Sequence, residues 1–199
     1  MKLHLNQIAT ISAGYPFRGK IPEHPEGNLA VVQMKDCSSE FGVDWISCVR
    51  SEATGKKAPD WLQTGDILVA ARGNQNYAVL VDTRHAPLPA VAAPHFYVVR
   101  PQSDALIPEF LVWQLNQQPC QRYFELHAEG TLTKSIRRTV LEEAPIELTP
   151  QQQESLAFYL AEQRDRLQTL LRGGKAEAEP ARKRGNTPAT ETAGESDAA

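Results

Sequence analysis

The sequence predicts a mixed α+β chain, strands first and helices after. Short apolar runs rich in β-branched residues, such as Ile67–Ala71 and Phe96–Val99, recur through the N-terminal half between turn signals. From Ile107 onward the apolar residues fall at helical spacing instead. After Gly173-Gly174 the chain is Ala, Glu, Thr, Pro, Gly and charge, a composition that does not fold. The expected division is therefore a folded domain over 1–148, a helix over 149–172 and a disordered tail over 173–199.

At 199 residues the chain holds one domain and an appendage. A formal net charge of −3 gives no bulk basic field to attract nucleic acid. Cys37, Cys48 and Cys120 are an odd number without CxxC spacing, which argues against a disulfide framework or a structural zinc site. They read as reduced thiols of a cytoplasmic protein. No N-terminal apolar leader and no membrane-length apolar run is present, so neither secretion nor membrane spanning is expected.

Leu3, Leu5, Ile8 and Ile11 predict a short strand or helix that runs into Gly14–Lys20. That turn-rich segment holds Tyr15, Arg18 and Lys20. It reads either as a loop over a ligand or as a surface turn with Tyr15 and Phe17 folded onto the core. Ala30–Met34 predicts a strand, and Val43–Val49 another.

Gly65-Asp66 is a turn signal, because glycine supplies positive φ and aspartate caps nearby backbone. Ile67–Ala71 then reads as a strand buried on both faces. The apolar run stops at Arg72-Gly73-Asn74-Gln75-Asn76-Tyr77. Arginine and side-chain amides are the groups that read base edges or grip phosphates. The alternative is a hairpin loop whose arginine pairs with a carboxylate. Tyr77–Val81 predicts the strand paired across that loop, Ala86–Pro94 a proline-rich connection, and Phe96–Pro101 a further strand.

Pro108 suits the first position of a helix whose apolar face is Phe110, Leu111 and Leu115. Pro119 is expected to end it, and a second helix is expected over about 121–128, stopped by Gly130. Thr131–Arg138 carries Lys134, Arg137 and Arg138 and no acid, with hydroxyl groups interleaved. It reads either as a phosphate grip or as a solvated connection. Val140–Leu148 is expected to end in a short strand. Thr149-Pro150 then opens a helix. In it Leu156, Leu160, Gln163, Leu167 and Leu170 form a heptad seam of about two repeats. That seam would pack on a partner helix or fold back on the domain.

No GxSxG, HExxH or dinucleotide fingerprint is present, the five histidines show no metal-ligand spacing, and no Asn/Asp-Pro-Pro-Tyr/Phe segment of base methyltransferases occurs. The chain is expected to carry no catalytic residue, metal or cofactor.

In order, several stretches resemble the target recognition domain of type I restriction-modification specificity (S) subunits. They are Leu5-x-x-Ile8-x-x-Ile11-x-x-Gly14, Val32–Asp36, Gly65-Asp66-Ile67-Leu68-x-x-x-Arg72-Gly73, and Pro108–Leu111 with Leu115-Asn116. The series closes with Gly130-Thr131, Ile136, Leu141, Pro145-Ile146 and Pro150-x-x-Gln153. The resemblance covers about 1–170. It implies a curved, mostly antiparallel sheet flanked by small helices that reads one half of a bipartite double-stranded DNA site. It implies as partners an adenine methyltransferase subunit, which would hold the S-adenosylmethionine, and further a restriction subunit. Family subunits usually carry two such domains joined by two helices. With one domain and one helix, this chain would be a half-subunit that forms a homodimer through the Leu156–Leu170 seam, or a truncated or repurposed one. On that footing Tyr15, Arg18, Lys20, Arg72, Asn74, Gln75, Asn76, Lys134, Arg137 and Arg138 are the expected DNA-binding residues. Arg72 and the amides would read bases, and the lysines with Arg137 and Arg138 would hold phosphates. The other reading is an interaction protein that binds the methyltransferase or restriction subunits without reading DNA.

Overall fold

The computed structural model describes residues 2–53, 58–102, 107–131, 133–147 and 149–151, with positions 154, 161, 165 and 168. In chain order the strands are β1 (Lys2–His4), β2 (Ala9–Ala13), β3 (Leu29–Val32), β4 (Cys37–Ser38), β5 (Gly42–Val43), β6 (Val49–Ser51), β7 (Ile67–Ala70), β8 (Arg72–Gly73), β9 (Ala78–Leu80), β10 (Ala90–Ala92), β11 (Phe96–Pro101), β12 (Lys134–Ser135) and β13 (Pro145–Glu147). The helices α1 (Pro108–Asn116), α2 (Gln118–His127) and α3 (Arg138–Glu142) lie between β11 and β13. All of these belong to the unit Met1–Ala161; in the second unit, Glu162–Ala199, the described Asp165 and Gln168 are helical.

The fold is α+β, as expected, with mostly antiparallel pairing. A four-stranded sheet runs β2-β11-β7-β9, antiparallel throughout. A three-stranded sheet runs β10-β3-β6, in which β10 and β3 are parallel. Short ribbons join β1 to β13, β4 to β5 and β8 to β12.

Period-2 alternation explains the layering. On β7, Ile67 and Val69 face one core with Leu111, Leu115 and Phe124 of the helices. Leu68 and Ala70 face a second core with Ala30 and Val32 of β3. All four β7 residues are buried, so the strand is covered on both faces as its unbroken apolar run predicts. Leu29 and Val31 point to the far side of the three-stranded sheet, against Tyr15 and Phe17. Each such aliphatic or aromatic side chain contributes about 1.5–3 kcal/mol when fully buried.

Gly65 enters β7 at φ +96°, the left-handed turn its identity predicts. Asp66 is 1% exposed. Its carboxylate accepts from the Gln63 backbone N–H at 2.8 Å and from Arg100 Nε and Nη2 at 2.7 and 2.8 Å. The hydrogen-bonded Asp66 carboxylate holds the Arg100 guanidinium above the ordinary arginine range. At Gly14 the backbone passes so close to β10 that a Cβ would collide with the Ala93 carbonyl.

Several expectations are corrected. Val43–Val49 is no single strand: the Asp44 carboxylate accepts from Ile46 N–H and Ser47 Oγ, and this Asx turn breaks the run before β6. The proline-rich 86–94 contains β10, whose Ala-Val-Ala is buried beside β3. Pro119 starts α2 instead of ending α1, since its missing N–H costs nothing in a first turn. Arg138 opens α3, where the sequence suggested an exposed connection. Pro150 and Gln151 are helical, as Thr149-Pro150 predicts. The Leu156, Leu160, Gln163, Leu167 and Leu170 seam and the 173–199 tail lie outside the described residues.

Burial pushes the thiols of Cys37, Cys48 and Cys120 up to about 12, from 9.0 in the open chain. It also pushes the Tyr77 phenol up to about 12. The native state therefore keeps these protons longer than the unfolded chain does, so stability is full below pH 9 and is lost as pH rises from 9 toward 12. The urea midpoint should fall steadily over that window; a flat midpoint would contradict the burial of these groups.

Candidate nucleic-acid interface

The two polar stretches that the sequence singles out separately meet in space. Arg72 pairs with Ser135 and Gly73 with Lys134, in antiparallel register. A third segment joins them: Glu129 and Ser135 exchange backbone hydrogen bonds at 2.8 Å each. The Ile136 N–H donates to the Ala71 carbonyl at 3.0 Å, and Tyr97 Oη to the Ile136 carbonyl at 3.2 Å, which ties the ribbon to β7 and β11. Burial holds the Tyr97 phenol above its usual range. Ile136 is buried and acts as the plug that seats β12 on the core.

Side-chain amides fix the 72–77 loop from the helix side. Asn116, the last residue of α1, accepts from the Ala78 N–H and donates to the Ala78 carbonyl, both at 2.8 Å. A two-sided amide thus covers the free edge of β9 as another strand would. Gln121 donates to the carbonyls of Leu115 at 2.7 Å and Asn76 at 3.0 Å. Gln114 clasps Glu147 of β13 in the same two-sided way. The α1 helix thereby stitches two strand edges together, which its apolar spacing does not reveal.

Arg72, Asn74 and Gln75 are exposed on this loop. Arg72 meets no carboxylate among the described residues. Asn76 is 6% exposed and donates to the Ala70 carbonyl at 2.8 Å, so it closes the loop and is withdrawn as a base reader. Tyr15 is 5% exposed, its ring edge-on to Phe17 at 4.8 Å, so of its two expected places it takes the one folded onto the core and not the DNA-facing one. Backbone bonds from Gly14 N–H to Phe96 O and from Tyr15 N–H to Ala92 O draw that ring inward. Arg18 and Lys20 are exposed beyond it, on the segment that covers the three-stranded sheet. No strand pairing or hydrogen bond among the described residues joins them to the ribbon.

Lys134, Arg137 and Arg138 sit on or beside the ribbon, each with a carboxylate partner: Glu125 at 3.4 Å, Glu129 at 2.8 Å and Glu142 at 2.7 Å. The surface is mixed in sign instead of bare and basic. Among the described residues no group of His, Cys, Asp and Glu is arranged to hold a metal ion, and no helix is long and apolar enough to cross a membrane.

No family profile and no curated protein matches the sequence. Solved structures do match. The type I restriction-modification S subunit from M. genitalium superposes on 86% of this chain with TM-score 0.57 at 18% identity. The chain has the fold of type I specificity subunits. The HsdS subunit from Thermoanaerobacter tengcongensis matches 90% of the chain with TM-score 0.54, again at 18% identity. A chain from work on assembly and conformational transition of the type I R-M system matches 89%, with TM-score 0.57 at 18% identity. This chain spans 40%, 40% and 42% of those three in turn.

Within this specificity-subunit fold the residues that carried the resemblance have physical work to do. Gly14 permits the close pass of β2 against β10, Asp66 anchors β11 through Arg100, and Asn116 covers β9. Asn116→Ala would leave both polar groups of Ala78 without their partner. It should cost about 2 kcal/mol in chemical denaturation. A loss below about 0.5 kcal/mol would show that water replaces the amide at that edge.

Proposed function

We propose that this chain is a non-catalytic DNA-recognition module that serves as the specificity subunit, or half-subunit, of a type I restriction-modification complex. It directs a partner adenine methyltransferase, which carries the S-adenosylmethionine, and a restriction subunit to a bipartite site. The observation that carries this reading is the β8–β12 ribbon. On a specificity-subunit fold, it places Arg72, Asn74 and Gln75 beside Lys134, Arg137 and Arg138. Arg72 and the two exposed amides read base edges, and the three cations hold phosphates. Arg18 and Lys20 add phosphate contacts from a second loop.

The helix that opens at Pro150 serves as spacer and dimerisation element through Leu156, Leu160, Gln163, Leu167 and Leu170. A helix of about 22 residues would span roughly 33 Å, close to one turn of duplex. Two copies would then read two half-sites. A near-neutral chain suits this role when partner subunits supply further phosphate contacts.

Random-sequence DNA selection, with and without a co-expressed type I methyltransferase subunit, tests the reading. Enrichment of a gapped, two-fold-symmetric site is expected. A single enriched half-site would remove the dimer. The carboxylate-paired cations and the net charge of −3 favour a second reading, an interaction protein that binds the same subunits without reading DNA. Co-purification with those subunits and no enriched sequence would establish it.

Arg137→Ala should weaken binding to all duplexes alike and lower the salt slope, by at most about one ion because Arg137 is already paired with Glu129. A loss confined to one sequence would make Arg137 a base reader instead.

A further inference from the structure

The carboxylates opposite the ribbon come from three separate places. Glu125 projects from α2, Glu129 from the segment bonded to Ser135, and Glu142 from the last turn of α3. Glu129 is held against Arg137 by the reciprocal backbone bonds to Ser135, so its pairing follows from the fold. Glu142 stands four residues after Arg138 on one helical face. All six side chains are at least a quarter exposed. Exposed pairs of this kind are weak and open readily. A DNA phosphate approaching Lys134, Arg137 or Arg138 must displace a carboxylate, and the displaced group then repels the phosphate backbone. Arg72, by contrast, needs no such exchange with any described residue.

We infer that Glu125, Glu129 and Glu142 act as built-in phosphate substitutes that keep the ribbon off random duplex, so that contacts made by Arg72, Asn74 and Gln75 decide where the domain stays. This rests on the DNA-reading proposal above. Phosphate contacts dominate non-specific affinity, and pre-occupied cations release fewer counterions when DNA binds.

The test uses the full chain and a short random-sequence duplex, titrated at two salt concentrations. One variant combines Glu125→Gln, Glu129→Gln and Glu142→Gln. A second combines Glu26→Gln, Glu40→Gln and Glu52→Gln, exposed residues that pair with no cation among the described residues, and so makes the same change in net charge. The first variant should bind random duplex about tenfold tighter than the parent, with a steeper salt dependence. The second should differ from the parent by less than about threefold. An equal gain in both would mean that bulk charge alone is at work and would overturn the inference. No gain in either, with measurable parental binding, would overturn it too and leave DNA reading intact. If none of the three proteins binds any duplex at low salt, the DNA-reading proposal falls with it. Far-UV circular dichroism and thermal midpoints confirm that all three are equally folded.

Discussion

Arg100→Met is expected to destabilise the domain by about 3 kcal/mol. The reason is the asymmetry of the pair. Asp66 is buried at 1% side-chain exposure, whereas Arg100 is one-third exposed at 33%. Removing the arginine leaves a buried carboxylate that keeps, among the described residues, only the Gln63 N–H, while its two short contacts to the guanidinium disappear. The damage should be structural and local to the junction of β7 and β11, at the end of β7 away from the 72–77 loop. Combining Arg100→Met with Asp66→Leu should recover most of the loss, because an apolar replacement of both partners strands no charge. Urea denaturation of the two variants measures this. A single-variant cost under 1 kcal/mol, or a double variant weaker than the single, would show that the pair is ornamental.

Arg72→Ala should leave stability within about 0.5 kcal/mol of the parent, because the side chain is exposed and meets no carboxylate among the described residues. On the DNA-reading proposal its effect falls on recognition. Loss of one base-reading arginine should weaken binding to the selected sequence by about 10- to 100-fold, or roughly 1–3 kcal/mol. Affinity for random duplex should drop far less. Equal loss on both duplexes would reassign Arg72 to phosphate holding. On that proposal Arg72 on β8 and Arg137 at the entry to α3 differ in a measurable way, since the first would act on specificity and the second on the salt slope.

Local chemistry determined a good part of this protein. The unbroken apolar run at Ile67–Ala70 became a strand buried on both faces, Gly65 took the left-handed turn, and Pro108 opened α1. Each follows from the residue and its immediate neighbours: unbroken apolarity, a missing Cβ, a missing N–H. The exposed arginine and amides of the 72–75 loop were likewise legible, because nothing in that stretch can fill a core.

Tertiary structure alone decided which of these groups meet. Arg72 pairs with Ser135 across a long stretch of chain, a register that no local pattern encodes. The same holds for Asn76 and Tyr15, polar or amphipathic residues in loop-like sequence that the fold turns inward because an unpaired carbonyl or an apolar ring needs them there. Ala90–Ala92 reads as linker between prolines until the edge of β3 offers its backbone a partner. Finally, the carboxylates of Glu125, Glu129 and Glu142 lie outside the acid-free stretch whose cations they meet, and α2, the Ser135 bridge and α3 bring them there. A sequence states which charges a segment carries; only the folded chain states which of them are already answered.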